Sequence, residues 1–231
     1  MKYTLIFLLL SALIPITLQA QDLEVRASLN SGFYSYYGSG ATAVSRLNSG
    51  TYTNNPYGSK GGLSYGLSLD LKKITRSRFI YGADLGYEML RSKVKLEFDD
   101  VIGDIASSFA GRTYLNTSFI NLFPFLGARL NARRQAFDLA GGLDIGYVLS
   151  AREHADAKST DNAQFHLETS RDRKSLKTDL RPRIQLSTNF DRFGCYLGYS
   201  YGLMNYKGGL IGSSSQASSR MLRLGVSYRL K

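Results

Sequence analysis

Leu63-Ser64-Tyr65-Gly66-Leu67-Ser68-Leu69-Asp70-Leu71 alternates without a break between large apolar and small or acidic side chains. Successive side chains of a strand point to opposite faces, so this stretch reads as a β-strand with one oily face and one polar face. A soluble sandwich, or a lipocalin-like soluble barrel, would turn the oily face inward. A transmembrane barrel turns it out to lipid and keeps the polar set inside.

The same period recurs along the chain. Leu23–Phe33, Phe79–Met89, Tyr114–Leu130, Phe137–Leu149, Asp179–Phe190, Cys195–Leu203 and Leu222–Leu230 all oppose an apolar row to a polar or glycine row. With Leu63–Leu71 they predict eight strands. Tyr114–Leu130 is the least clean: both faces of INLFPFLGARL (Ile120–Leu130) are largely apolar, and Pro124 interrupts it. Proline lacks the ladder donor, so a bulge or kink is expected there.

Connection lengths alternate. Short polar turns are predicted at Lys72–Arg78, Asn131–Gln135 and Asp191–Phe193, and long polar loops at Gly38–Gly62, Arg91–Arg112, Ala151–Lys177 and Asn205–Ser219. Short turns at one end and long loops at the other are the layout of an outer-membrane barrel. Long loops without structure of their own would be unusual in a compact soluble domain.

The amino end points to export. Lys2 precedes an apolar run from Tyr3 to Leu18, and Ala20 before Gln21 offers a cleavage point, so residues 1–20 read as a signal peptide and residues 21–231 as one barrel domain. Pro15 argues against an uncleaved membrane anchor. One cysteine, Cys195, excludes an internal disulfide. Glycine (23), tyrosine (16) and phenylalanine (12) without tryptophan suit an all-β chain rich in turns. The net charge of +11 would draw an exported protein to anionic lipid, lipopolysaccharide or acidic glycans rather than to nucleic acid.

The export signal, the alternating segments and the phrase Ile120–Leu130 together resemble the small outer-membrane β-barrel (porin-like) family frequent in Bacteroidetes. The architecture is similar to the eight-stranded barrel of outer membrane protein A. The resemblance implies an all-β, eight-stranded antiparallel transmembrane barrel in the outer membrane of a Gram-negative bacterium. Its turns would be periplasmic and its long loops extracellular, with lipid and lipopolysaccharide as surroundings. Barrels of this kind often end on an aromatic residue read by the barrel-insertion machinery. This chain ends Tyr228-Arg229-Leu230-Lys231, which leaves Tyr228 for that role.

If the apolar rows face lipid, the other rows fill the lumen. The inward acids are then Glu24, Asp70, Asp84, Glu88, Asp138, Asp144 and Asp179, and the inward bases Arg26, Arg181, Arg183, Arg223 and Arg229. An unpaired charge in a narrow interior is costly, and the arginine fork suits a carboxylate, so a network of Arg–carboxylate pairs is expected. Eight strands enclose only enough room for side chains, which predicts a plugged lumen. Tyr34, Tyr36, Tyr37, Tyr87, Tyr114, Tyr147 and Tyr206 fall near strand ends and are expected to form interfacial girdles.

Catalytic signals are thin. His154 and His166 lie in one long loop, and His166 with Glu168 and Ser170 is the nearest echo of a barrel acyl-transfer site. Asp99, Asp100 and Asp104 could hold a cation loosely, but two histidines and a distant cysteine make no metal site. Ser59–Gly62 lacks the strand–loop–helix setting of a phosphate loop. No catalytic residue, metal or cofactor is assigned. The expectation is a non-enzymatic barrel with a structural, adhesive or docking role through its extracellular loops, where Arg171–Lys174 is the densest charge run and a protein or glycan is the ligand. The alternatives are a narrow porin-like channel for small solutes and, behind it, a lipid A-modifying enzyme.

Overall fold

The computed structural model describes residues 23–48, 52–102, 105–132, 135–161, 165–173, 175–208 and 215–231. Residues 1–20, where a signal peptide is predicted, and Asp104 and Lys174 lie outside the described residues. Long strands build the molecule: β1 (Leu23–Tyr37), β5 (Lys60–Ile74), β6 (Phe79–Ile102), β7 (Ile105–Ala132), β8 (Gln135–Ser159), β10 (Thr178–Phe190), β11 (Phe193–Tyr201) and β12 (Ser218–Arg229). Three short pieces, β2 (Val44–Ser45), β3 (Leu47–Asn48) and β4 (Tyr52–Thr53), follow β1, and β9 (His166–Asp172) follows β8.

Each long strand pairs antiparallel with its sequence neighbour among the long strands. β10 joins β8, and β12 returns to β1 along Arg26↔Arg229 to Tyr37↔Ser218. The sheet closes on itself, so the transmembrane strands leave no open edge. Among the described residues no helix is long and apolar enough to cross a membrane.

Burial follows the alternation. In β5, Ser64 and Ser68 are buried while Leu63, Tyr65, Leu67, Leu69 and Leu71 are each at least half exposed. Leu29, Leu85, Leu126, Ile184, Leu224 and Val226 continue the exposed apolar band around the ring. A soluble surface does not carry so large a contiguous apolar patch; a bilayer requires it.

Two expectations change here. The ladder from β6 runs in unbroken register past Ala83↔Pro124, and the irregularity lies instead between Ser118 and Phe119 against β8. On the β8 side the pairing skips from Leu122↔Ile145 to Phe125↔Gly142 without a slip. One absent donor is thus absorbed as a missing rung, with no inserted residue. The predicted long loops Arg91–Arg112 and Ala151–Lys177 are also largely strand. β6 and β7 stay paired up to Ile102↔Ile105, and β8 goes on to pair with β9 through Arg152↔Asp172 to Lys158↔His166.

In this tall extension the faces exchange character. Val94 and Leu96 of β6, Phe109 of β7, and Ala155 and Ala157 of β8 are buried, whereas Lys95, Glu97, Arg112 and Asp156 are exposed. Leu47, Leu96, Phe109, Ala155 and Ala157 form an apolar core of their own, with Phe98, Phe165 and Leu167 packed against it. The inversion marks where the chain leaves lipid for water.

Candidate functional site

The lumen is filled in layers, each supplied by inward residues of several strands. At the end of the short turns, Arg129 grips Asp138 through two hydrogen bonds of 2.7 and 2.8 Å, and the Lys72 ammonium reaches the same carboxylate at 2.6 Å. Glu24 lies beside them, 3.4 Å from Lys72, and accepts from Arg26 at 3.0 and 2.9 Å. Lys72 belongs to the inward row of Ser68 and Asp70, since β5 runs on to Ile74 instead of turning at residue 72. Counting on by two from Asp70 would have found it.

The middle layer is looser. Arg183 hydrogen-bonds Gln185, lies 3.8 Å from Asp84, and stacks its guanidinium 4.3 Å from the Phe123 ring centre. Asp70 stands directly across from Asp84, and one buried carboxylate oxygen of each lacks a hydrogen-bond partner. The Tyr196 ring crosses Gly225 on the neighbouring strand so closely that any Cβ there would strike it. The voids of this layer hold only about 10 and 20 Å³, room for a water or so.

The upper layer is the tightest. Arg223 makes a bidentate pair with Glu88 at 2.6 and 2.8 Å, reaches Asp144 at 2.7 Å, and donates to the Ser200 hydroxyl at 2.7 Å. Arg181 sits 3.2 Å from Asp144 and 3.8 Å from Glu88, donates to Asn121 at 3.1 Å, and packs over Phe119. Asn121 in turn donates to Glu88. Asp179 accepts from the Tyr206 and Ser219 hydroxyls at 2.8 and 2.7 Å. The structure therefore brings together Glu24, Arg26 and Asp138 in one group and Glu88, Asp144, Asp179, Arg181 and Arg223 in another. Arg229 stands apart at the rim, 3.8 Å from the exposed Asp191.

Four tyrosines close the top of the lumen. Tyr34, Tyr36, Tyr57 and Tyr206 pack edge-on, with the Tyr36 ring 5.3 Å from Tyr34, 5.1 Å from Tyr57 and 5.0 Å from Tyr206. Burial holds the phenols of Tyr57 and Tyr206 above their usual range, so both stay protonated. Tyr34, Tyr36 and Tyr206 are thus interior and not part of a girdle, because the first two share the inward row of Arg26, Ser28 and Asn30. Tyr87 and Tyr147 do face outward, Tyr37 stacks on Tyr201, and Tyr114 lies under the Arg91 guanidinium.

Above the tyrosines the segment carrying β3 and β4 is latched across the opening. Arg173 bonds both the Thr53 carbonyl and Glu153, while Glu153 accepts the Thr53 amide at 2.8 Å and Arg171 and Arg173 flank the Tyr52 ring. The loop histidines lie on the exposed face of the β8–β9 pair, His154 3.5 Å from Glu168 and His166 3.2 Å from Asp156. Ser170 stands opposite His154 in the ladder. These are cross-strand pairs on an open surface. Asp99 accepts from Ser108 at 2.7 Å, and the described residues contain no group of three metal-ligating side chains.

A closed antiparallel ring with an apolar outer belt and a polar, ion-paired interior is an outer-membrane β-barrel. The family described as outer membrane protein beta-barrel domain matches residues 19–208, and the chain belongs to it. Among curated proteins none matches. Similar solved structures include Ail, the attachment invasion locus protein of Yersinia pestis, in complex with the heparin analogue sucrose octasulfate. It is 12% identical with a TM-score of 0.40, over 91% of this chain and 100% of that one. Neisserial surface protein A is 8% identical with a TM-score of 0.36, over 89% and 97% of the two chains.

Proposed function

We propose that this outer-membrane barrel is a non-enzymatic docking protein: a closed transmembrane stalk, exported through residues 1–20, that holds a rigid sheet above the membrane for a protein or glycan partner. The observation that carries the reading is the extension of β6, β7, β8 and β9. Its inverted polarity gives it a core of its own, its outer face is charged, and among the described residues no further strand pairs with the far side of β9. An exposed strand edge beside charged side chains is a surface to which an extended segment can add. Where the extension meets the apolar belt, Lys60 faces Lys93 across the ladder, and Arg112 faces Lys95, which also pairs with Glu97. Like charges directly opposite one another destabilise a sheet unless anions lie between them, and lipopolysaccharide phosphates would supply those.

Trimming the extension tests the reading. A variant with tight turns joining Lys93 to Tyr114 and Arg152 to Lys177 keeps the transmembrane ring and should still show the folded mobility shift on unheated gels. Cells displaying it should lose binding to immobilised serum glycoproteins and sulfated glycans that the full chain retains; equal binding by both overturns the docking role.

Closure of the lumen is supported by its layered ion pairs and by voids too small for a hydrated ion. In planar bilayers the intact protein should give no steady single-channel current. Steady currents altered by Arg181→Ala would favour the channel reading instead.

A further inference from the structure

The lipid-facing surface is not evenly filled. Over β10, β11, β12 and β1 a groove of about 620 Å³ opens outward, walled by Leu29, Leu186, Leu197, Leu224 and Val226 with Cys195 among them. Cys195 pairs with Thr188 on one side and Val226 on the other, so two short side chains leave room between long ones. One row nearer the short turns, Phe190, Phe193 and Tyr228 stand side by side and exposed or nearly so. Below that row comes the tight turn Asp191-Arg192, where Asp191 takes a left-handed φ of 53° that aspartate tolerates.

The rim at this end is strongly basic. Lys73, Arg76, Arg78, Arg192 and Arg229 lie on it, and among the described residues Asp191 is the one acid of the turns beside them. Arg192 is fully solvent-exposed, and its guanidinium donates to the Tyr228 hydroxyl at 3.4 Å. Arg229 bonds the Arg192 carbonyl through its backbone amide at 2.7 Å, but its side chain belongs to the inward row and lies 3.8 Å from Asp191. The Arg192 guanidinium, held on the outward-facing Tyr228, thus sits at the short-turn end of the sector that carries the groove.

We propose that this sector binds an anionic phospholipid of the periplasmic leaflet, with its phosphodiester on Arg192 and one acyl chain in the groove over Cys195. Net charge selects the headgroup: the guanidinium bonds a phosphodiester that phosphatidylcholine also carries, but the choline ammonium would lie against the basic rim. The groove selects the sector, because it opens above the turn that carries Arg192. Tyr228, in the aromatic row between them, offers the amphipathic ring favoured at the headgroup level.

The sole cysteine reports on occupancy. The folded full chain is placed in phosphatidylcholine vesicles, and phosphatidylglycerol of identical chains replaces part of the lipid. Alkylation of Cys195 by N-ethylmaleimide should slow as phosphatidylglycerol rises and should not respond to added soluble glycerol phosphate. Arg192→Gln, a change on an exposed turn that leaves the folded gel mobility intact, should weaken the phosphatidylglycerol effect roughly fivefold. Equal alkylation in the two lipids, or a phosphatidylglycerol effect that survives Arg192→Gln, overturns the site. Protection by glycerol phosphate alone overturns the acyl-chain half of it.

Discussion

Arg223→Ala should destabilise the barrel by about 3–5 kcal/mol, the range for breaking a buried ion pair by removing one partner. The Arg223 guanidinium is fully buried and touches Glu88, Asp144 and the Ser200 hydroxyl. Removing it leaves Glu88 with Asn121 and a guanidinium 3.8 Å away, and Asp144 with Arg181 alone. Burial without a partner, more than lost attraction, accounts for most of the effect. Glu88→Gln combined with Arg223→Met removes charge from both ends and should recover much of the loss, since replacing a whole buried pair with packed neutral groups is often close to neutral. Urea unfolding in phospholipid vesicles, followed by gel mobility, measures both variants. A cost below about 1 kcal/mol for Arg223→Ala, the range of a solvent-exposed pair, would mean that water reaches this layer and that the lumen is open.

The alternation made the ring and its strand count legible because lipid leaves no choice: every transmembrane strand must put its apolar row outside and its polar row inside. Most inward acids and bases could be named on parity alone. Lys72 was lost because polar residues after Asp70 look like a turn, and Arg229 was included because parity does not say how deep in the lumen a residue lies. Tyr34 and Tyr36 were read by residue type, although their row placed them inside with Arg26. The tall sheet was hidden for a related reason. Beyond Arg91 the apolar residues move to the inward row and the charges to the outward row, so a search for lipid-facing strands sees only a polar loop. The latch ties Thr53 to Glu153 and Arg173, 100 and 120 positions away, and no local pattern announces it.

That inversion makes the membrane boundary measurable by substitution. Leu67 is 56% exposed in mid-strand on β5, between Leu29 of β1 and Tyr87 of β6. Leu67→Arg puts a guanidinium among acyl chains and should cost about 2–4 kcal/mol, the range for a cation at the bilayer midplane of a barrel. Glu97→Arg places the same group on the same outer face of β6, beyond Lys93, where the neighbours are Lys95 and water. It removes an exposed pair with Lys95 and should cost less than about 1 kcal/mol. Inside the extension the order reverses. Leu96 is fully buried against Leu47 and Phe109, and Leu96→Ala should cost about 2–5 kcal/mol as a core deletion in water-soluble structure. Vesicle unfolding of the three variants then traces where lipid ends along β6 and its neighbours. If Leu67→Arg and Glu97→Arg cost the same, the exposed leucines of β5 do not face lipid, and the apolar belt would need a protein partner to cover it.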